Sequence, residues 1–349
     1  MKAPVSDVHH QALYRIHRPT TFKDVLGQDA LVAALEAQVR GGSVGHAYLF
    51  AGSRGLGKTS IARIFAQALN TSSKDLYEID AASNNSVDDI RALTENVYTL
   101  PFESKYKVYI LDEAHMLSKG AWNAFLKTLE EPPAHTLFIL ATTELEKVPE
   151  TVQSRCQVFQ LQKPSRALLK KVVTDVAKKE GVHIEAPAAE LVALLADGSY
   201  RDALSVLQKV CVSGAGKDIT LSEAEKALGA PRRVQVQQLL LALSEGNLEK
   251  GLDTLSKVAA SAIDIPTYTT LVLEDMRNVL LIRHAPELRK KIEEETGAEQ
   301  YAELFTLAEN KESKLTHHAL KVFLDAVDRL RFSPAPVLSL ELALYELFA

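Results

Sequence analysis

The chain has 349 residues, of which 46% are hydrophobic and 24% charged, a composition typical of a globular protein with two or three domains. Its formal net charge of -5 excludes a protein whose main surface coats nucleic acid, since such proteins are normally basic. The two cysteines, Cys156 and Cys211, indicate structural thiols in a reducing cytoplasm and exclude a four-cysteine zinc site within this chain, and no apolar run is long enough to span a membrane.

The first 45 residues combine a short arm and a helix. Residues 13–22 read as an extended segment bounded by Pro19, and residues 29–40 have the apolar spacing of an amphipathic helix. From spacing alone, this region is expected to pack an arm on a helix and to carry no chemistry of its own.

A glycine-rich loop follows the first predicted strand. An apolar run at residues 48–51 leads into Gly-Ser-Arg-Gly-Leu-Gly-Lys-Thr-Ser, and residues 61–69 then carry apolar side chains at helical spacing. The loop fits G-x-x-x-x-G-K-[ST] in full, a motif whose backbone N–H groups wrap a phosphate. Lys58 would supply charge to the β- and γ-phosphates, and the Thr59 hydroxyl would bind Mg²⁺. The pattern predicts a nucleoside triphosphate site; the alternative is a glycine turn that precedes a lysine by chance.

Strands and helices alternate as far as residue 161. Further strands are predicted at 75–80, 107–111, 136–141 and 157–161, and helices are predicted at 87–98 and 119–130. This alternation predicts a parallel sheet with helices on both faces, an α/β fold. After a hinge at 163–165 the pattern is helical only, so we expect a nucleotide-binding domain at 1–164 and two all-helical domains at 165–229 and 230–349.

Two acids and two threonines are expected at the sheet edge where ligands bind. Asp112 and Glu113 follow the third strand, where Asp112 would hold Mg²⁺ and Glu113 would orient and deprotonate a water; the alternative is a solvated turn. Thr142 and Thr143 end the next strand and either place a hydroxyl near the γ-phosphate or simply cap the strand. Residues 112–115 also spell Asp-Glu-Ala-His, a string known from one class of helicases, but nothing after residue 165 resembles the second motor domain of those enzymes.

Two arginines are candidates for phosphate contacts. Arg155 is either a surface charge or an arginine finger for the γ-phosphate of a neighbouring subunit, which would be worth ~10³–10⁵ in rate. Arg201 lies in the first turn of a predicted helix, where a cation is unfavourable unless an anion is near; the alternative is a pair with Asp202 or Ser205. Three histidines without metal-ligand spacing are interpreted as packing or surface residues: His46, His115 and His135.

Together these motifs resemble the γ/τ subunits of the bacterial DNA polymerase III clamp loader, a family of AAA+ ATPases. The resemblance covers essentially the whole chain and implies an α/β AAA+ domain, a small all-α lid domain and an all-α collar that holds a ring of five subunits. The family usually carries a four-cysteine zinc module after the helix of the phosphate loop, but residues 69–75 run straight through, so zinc is not expected. The chain ends just after the collar, which resembles the short γ form.

The resemblance assigns roles residue by residue. Asp112 and Glu113 match the Walker B acids, Thr143 the sensor 1 position, Arg155 the arginine that acts in trans and Arg201 the sensor 2 arginine. The Walker A loop and its flank supply the main nucleotide contacts: Gly52, Ser53, Arg54, Gly55, Leu56, Gly57, Lys58, Thr59 and Ser60. Four further residues fall where such proteins enclose the adenine: Arg18, Pro19, Val25 and Gln28.

The implied function is that of an ATPase motor subunit, which uses ATP and Mg²⁺ to open a sliding clamp and place it on primer–template DNA. The implied partners are the δ and δ′ subunits, further copies of the chain, the clamp and DNA, in the cytoplasm and without a membrane. DNA would be bound through its phosphates. Arg91, Lys119 and Lys127 are candidates for that contact, and each is equally plausible as a solvated helix charge. The alternatives are another AAA+ motor of the branch-migration type and an ATP-dependent scaffold that hydrolyses weakly.

Overall fold

The computed structural model describes residues 11–213, 218–261, 263–330 and 333–349, and these residues fall into two compact units. Unit 1 comprises the described residues up to Val176 together with Ala196–Gln208. Unit 2 comprises Ala177–Leu195 together with the described residues from Lys209 to Ala349. No helix in the described ranges combines the length and the apolar character needed to cross a membrane.

Unit 1 is built on a parallel sheet of five strands. The strands are β1 (Ala47–Ala51), β2 (Leu76–Asp80), β3 (Lys107–Asp112), β4 (Thr136–Thr142) and β5 (Gln157–Gln160), in the spatial order β2-β3-β4-β1-β5. Its helices are α1 (Leu13–Ile16), α2 (Asp29–Gly41), α3 (Lys58–Ala68), α4 (Val87–Val97), α5 (Lys119–Glu130) and α6 (Glu150–Gln153), with most of α7 (Arg166–Lys179) and the start of α9 (Tyr200–Ser213). Short 3-10 turns lie at Phe22–Asp24, Ala114–Met116 and Leu145–Lys147.

Both faces of the sheet are covered by helices, because successive side chains of each strand point to opposite sides. Leu49, Tyr109 and Phe138 lie on the face that α4 and α5 cover. Phe50, Ile110 and Ile139 lie on the other face, which α2 and α3 cover. All six side chains are buried, which is why these strands read as continuous apolar runs. The predicted α/β fold is confirmed.

The strand register brings the predicted site segments to one edge of the sheet. Ala51, the last residue of β1, pairs with Thr142, and Asp80 pairs with Asp112. Since all strands are parallel, the phosphate loop after β1, the acids after β3 and the threonines after β4 emerge on the same side.

The sequence predicts an extended arm at residues 13–22, and the structure shows that only part of it is extended. Its start forms the four-residue helix α1, in which Leu13 is buried and donates its backbone N–H to Oε1 of Gln208 at 3.1 Å. A helix of four residues is too short to show a helical period in the sequence. The anchor that fixes it comes from 195 residues further along the chain.

Unit 2 is almost entirely helical. It contains α8 (Ala186–Leu195), α10 (Leu221–Leu228), α11 (Arg233–Glu245), α12 (Leu248–Ala259), α13 (Ile265–His284), α14 (Arg289–Thr296), α15 (Ala298–Glu309), α16 (His317–Leu330) and α17 (Pro336–Phe348). Leu240, Tyr268 and Phe323 lie in one buried cluster formed by helices from α11 onward.

The helical-only prediction after residue 165 is wrong at two short places in unit 2. Strands β6 (His183–Ile184) and β7 (Asp218–Ile219) pair in parallel, with Ile184 opposite Ile219 and both side chains buried. Two residues are too few to show the alternation that marks a strand in a sequence.

Candidate nucleotide-binding site

The phosphate loop joins β1 to α3 as the motif requires. Gly57 precedes α3 with a φ of 96°, and Gly55 has a φ of 79°, both in the region that favours glycine. A Cβ at Gly55 would lie 2.0 Å from Oγ of Ser199, so the loop also approaches the start of α9 more closely than a larger residue allows. Leu56 is buried beneath the loop, while Ser53 and Arg54 are exposed.

Lys58 is folded onto its own loop. Its Nζ donates to the carbonyl oxygens of Gly52 at 2.7 Å and Ser53 at 3.0 Å, and the residue is only 5% exposed. Burial lowers the pKa of Lys58, while the charges of Glu113 and Asp112 oppose that shift. The loop carbonyls are weak partners for an ammonium group compared with a phosphate, which can replace them at this position.

The end of β3 meets the start of α3 through a single short hydrogen bond. Thr59 Oγ1 donates to Oδ2 of Asp112 at 2.7 Å. A hydroxyl and a carboxylate are the hard oxygen donors that Mg²⁺ takes from P-loop proteins, with waters and phosphates filling the other positions. These two residues therefore fit a Mg²⁺ site. In the described part of the chain, no cluster of three or more His, Cys, Asp or Glu side chains forms a separate metal site.

Glu113 is held in an unusual backbone conformation. Its φ of 50° and ψ of 44° lie in the left-handed region, which costs a residue with a Cβ roughly 1–2 kcal/mol. Its carboxylate Oε2 accepts a hydrogen bond from Thr143 Oγ1 at 3.0 Å. The structure thus brings Glu113 and Thr143 together, and it turns Thr142 elsewhere, into a fully buried position.

The side chain of Thr142 belongs to a second polar cluster beside Glu113. His115 Nδ1 lies 3.1 Å from Thr142 Oγ1 and 3.6 Å from Glu113 Oε2, and Nε2 lies 3.2 Å from Oε1 of Glu144. The sequence interpretation treated His115 as a packing or surface residue and did not consider Glu144. The sequence feature that could have pointed to His115 as part of the site is its position three residues after Asp112.

Two arginines from distant parts of unit 1 lie near the phosphate loop: Arg18, in the N-terminal arm, and Arg201, on α9. Arg18 donates from Nε to Oγ of Ser60 at 2.7 Å, and burial, followed by the charge of Arg63, lowers the pKa of Arg18. Arg201 is close enough to contribute to the lowered pKa of both Arg18 and Lys58. Three cations that repel one another around a glycine-rich loop form a cradle whose charge suits a polyphosphate.

Arg201 does not follow the alternative sequence interpretation of a side-chain pair within its helix. Its guanidinium carbon lies 5.7 Å from the ring centroid of Tyr14, a cation–π distance. Ser205 instead donates its hydroxyl to the Arg201 backbone carbonyl at 2.8 Å. Tyr14, on α1, was not identified from the sequence, because nothing in the local pattern links it to α9.

The predicted adenine corner contains Pro19 and Val25, both half-buried. The buried side chain of Gln28 bonds the backbone of Gln162, donating from Nε2 to its carbonyl at 2.8 Å and accepting from its N–H at 3.1 Å. Tyr200 closes the corner from α9, since its hydroxyl donates to the carbonyl of Leu26 at 2.7 Å. Gln28 therefore shapes the corner through the backbone, and Tyr200 is an addition to the predicted set.

Arg155 lies away from the loop of its own chain. It precedes strand β5, which begins at Gln157 opposite Tyr48, the second residue of β1, whereas the phosphate loop follows the end of β1. Tyr48 lies three residues before the end of β1, so the start of β5 and the phosphate loop are at least about 10 Å apart along the sheet. Arg155 donates from Nη2 to Oε1 of Glu130 and from Nη1 to the carbonyl of Thr151, both at 2.6 Å.

The three candidate DNA contacts lie on α4 and α5, which pack against each other. Lys119 and Lys127 are exposed at the two ends of α5, and Arg91 is exposed on α4 with its Nη1 3.2 Å from Oδ1 of Asp88. The starts of the two helices are joined, because the Ser118 N–H donates to the carbonyl of Asn85 at 3.1 Å.

Neither cysteine has the properties of a catalytic nucleophile. Burial raises the pKa of Cys156 to about 12 and that of Cys211 to about 11. A thiol that stays protonated at neutral pH is a poor nucleophile, so both are structural residues, in line with the sequence interpretation.

Comparisons with known proteins match the chain in consecutive segments. Residues 70–165 match the family DNA polymerase III, delta subunit, and residues 169–216 match the DNA polymerase III clamp loader subunit, ATPase lid domain. Residues 219–349 match DNA polymerase III subunits gamma and tau domain III. Residues 21–116 also match the family Magnesium chelatase, subunit ChlI.

Curated relatives agree with these segments. The DNA polymerase III subunit gamma of Buchnera aphidicola subsp. Schizaphis graminum is 32% identical over 360 residues, which cover 97% of this chain and 98% of that protein. The DNA polymerase III subunit tau of Bacillus subtilis is 39% identical over 320 residues, which cover 84% of this chain. The chain spans only 56% of that tau protein and 40% of the gamma/tau protein of Mycoplasma pneumoniae, about half the length of these relatives.

Among solved structures, the Holliday junction branch migration motor RuvB of Thermotoga maritima has a similar fold. The TM-score is 0.54 at 22% sequence identity, with 71% of this chain and 86% of that chain covered. At this level of identity the likeness concerns the fold alone. It confirms the AAA+ fold that the sequence predicted.

Proposed function

Since the chain belongs to the family of DNA polymerase III subunits gamma and tau, we propose that it is the ATPase motor subunit of a replicative clamp loader. It would use ATP to open a sliding clamp and to load it on primer–template DNA. The observation that carries the proposal is the meeting of Lys58, Thr59, Asp112 and Glu113 at one sheet edge, through the contacts Thr59–Asp112 and Lys58–loop. Sites of this composition bind and cleave nucleoside triphosphates.

Each residue of the site has a proposed task in hydrolysis. Lys58 exchanges the carbonyls of Gly52 and Ser53 for the β- and γ-phosphate oxygens. Thr59 and Asp112 would hold Mg²⁺, which would neutralise phosphate charge. Glu113 orients the attacking water and takes its proton.

The sensor residues support this chemistry from the flanks. Thr143 is proposed to keep the Glu113 carboxylate aimed, as its hydroxyl contact at 3.0 Å allows. Arg18 and Arg201 are proposed to stabilise the charge that develops on the phosphates, because Arg201 lies near Lys58 and Arg18 contacts Ser60 in the first turn after the loop. Tyr200, Pro19 and Val25 would enclose the adenine.

Arg155 is proposed to act on the ATP of a neighbouring subunit. Its position toward the opposite end of the sheet from its own phosphate loop supports this role, since a trans-acting group must face outward. Within the subunit it is held by Glu130 across 2.6 Å. This pair is partly exposed and is therefore easily exchanged for a phosphate of higher charge.

We expect the chain to work within a ring of five subunits, with δ, δ′ and further copies of itself as partners, in the cytoplasm. The division into an AAA+ domain at 1–164, a lid at 165–229 and a collar at 230–349 is part of this proposal, and the collar would hold the ring. The buried cluster of helices from α11 onward supports the collar as a folded platform.

DNA would be held through its backbone by the starts of α4 and α5. A helix N-terminus directs its positive dipole end at a phosphate without reading the bases. Lys119 and Arg91 lie near these starts, while Lys127 lies about two turns further along α5. Lys119 and Arg91 are therefore the stronger candidates of the three.

The clamp would bind the segment between α4 and β3. Leu100 and Phe102 are 79% and 78% exposed there, and Tyr98 is 57% exposed. Exposed apolar side chains gathered on one segment mark a protein contact. The segment is also held firmly, because Asp75 accepts hydrogen bonds from the N–H groups of Phe102, Glu103 and Ser104.

The test is reconstitution with δ, δ′ and the clamp, followed by measurement of ATP turnover with and without primed DNA. We expect DNA to stimulate turnover only when the clamp-loader partners are present, and Glu113→Gln to lower it to a small residual rate while ATP still binds. Turnover without any dependence on these partners would favour a translocating motor, and the absence of turnover would favour a scaffold. Either result would overturn the proposal.

A further inference from the structure

A buried imidazole lies directly beside the proposed catalytic carboxylate. The side chain of His115 is 7% exposed, and its two nitrogens contact groups on both flanks of the site. Nδ1 faces Thr142 and Glu113, and Nε2 faces Glu144. His115 therefore links the segment after β3 to the end of β4.

Thr142 and Glu144 hold both nitrogens of the ring in place. Thr142 Oγ1 contacts the backbone of Glu144, donating to its carbonyl at 3.2 Å and accepting from its N–H at 3.1 Å. Nδ1 of His115 lies 3.1 Å from this hydroxyl, and Nε2 lies 3.2 Å from the Glu144 carboxylate. The ring is thereby fixed against Oε2 of Glu113 at 3.6 Å.

The far side of the cluster is held by Lys147. Its Nζ lies 2.7 Å from Oε2 of Glu144, and this hydrogen bond lowers the pKa of Glu144. The carboxylate of Glu144 thus stays ionised and holds the imidazole from behind. The order of contacts is Lys147, Glu144, His115 and then Glu113.

We infer that His115, held by Glu144, is a positioning residue for Glu113. His115 would keep the Glu113 carboxylate aimed at the attacking water, together with the contact from Thr143. The inference rests on the proposed ATP hydrolysis, because it concerns the geometry of the group that activates the water.

Glu113 needs such support because of its backbone. A left-handed conformation at a residue with a Cβ persists only where the surroundings hold it. The contacts given for the carboxylate come from Thr143 and His115, both to the same oxygen, Oε2, which leaves Oε1 for the water.

The experiment compares His115→Ala, His115→Gln and His135→Gln in the reconstituted clamp loader. His135 is a matched control, since it is half-buried in the same unit and its Nε2 lies 3.1 Å from the carbonyl of Val97, away from the site. Loss of residues that orient a reactive group typically costs ~10–100-fold. We expect His115→Ala to lower kcat by this factor with the Kd for ATP changed less than about twofold, and His115→Gln to restore part of kcat.

A double variant separates positioning from general damage. Glu113→Gln with His115→Ala should be no slower than Glu113→Gln alone, because His115 acts through Glu113. His135→Gln should turn over ATP like the wild type. An unchanged kcat in His115→Ala would overturn the inference. So would a His115→Ala variant whose ATP affinity and melting temperature fall along with kcat, if His115→Gln restores none of the kcat. An inactive wild-type complex would instead refute the proposed function.

Discussion

Asp75 offers a sharp test of how the proposed clamp-binding segment is held in place. The residue is 1% exposed and its carboxylate accepts three backbone hydrogen bonds: Oδ1 from Phe102 at 2.5 Å, and Oδ2 from Glu103 at 3.0 Å and Ser104 at 2.8 Å. Burial raises the pKa of Asp75, but the amide hydrogen bonds outweigh that effect and hold the pKa at about 2.

The change Asp75→Asn keeps the volume and removes one acceptor. If the amide oxygen takes the position of Oδ2, the Phe102 N–H then faces an NH₂ group and loses its partner. A hydrogen bond to a charged group is worth ~1.5–3 kcal/mol, so we expect unit 1 to lose about 2 kcal/mol of unfolding free energy. For a unit of this size, that corresponds to a fall of roughly 4–8 °C in melting temperature.

The effect should depend on pH in a defined direction. The folded pKa of Asp75, about 2, lies below its ordinary value, so the stabilisation is fully present above about pH 4 and is lost as the pH falls toward 2. Urea unfolding at pH 7 and pH 3 measures this. Asp253→Asn is the control, since its exposed pair with Lys257 should contribute less than about 1 kcal/mol. An Asp75→Asn variant as stable as the control, or a cost that does not shrink at pH 3, would refute the reasoning.

Three further predictions concern the site and its surfaces. Tyr14→Leu should weaken the hold on Arg201 and lower kcat by about tenfold or less, whereas Tyr14→Phe keeps the ring and should match the wild type in the same ATPase assay. Leu100→Ser should weaken clamp binding at least tenfold by surface plasmon resonance while ATP affinity stays constant, and equal clamp affinity would count against the proposed surface. Glu130→Gln should free Arg155 and raise turnover of the assembled ring before DNA is added; a lower rate would mean that Glu130 aligns the arginine instead.

The phosphate loop and the sheet edge could be read from the sequence because their signals are local. Residues 52–59 match a motif in consecutive positions, and the apolar runs of β1, β3 and β4 are buried on both faces. Asp112 and Thr143 follow such runs directly, so parallel pairing alone brings them to the same edge.

The parts that the sequence did not reveal depend on contacts between distant residues. Tyr200 reaches Leu26 across 174 positions, and the anchor of α1 at Gln208 spans 195. His115 and Glu144 are both polar residues outside the strands, and the pairing of β3 with β4 brings their segments together. A single sequence carries no periodic signal for such pairs, just as it carries none for the two-residue strand β6.

The most direct test of the central claim is complementation between two inactive variants in one ring. Arg155→Ala keeps Glu113 but lacks the arginine offered to its neighbour, and Glu113→Gln keeps the arginine but lacks the base. If catalysis needs a residue from each of two subunits, clamp loaders assembled from a mixture should regain DNA-stimulated turnover that neither variant shows alone. Mixed rings as inactive as either parent, with ring assembly intact, would contradict the claim that Arg155 acts in trans.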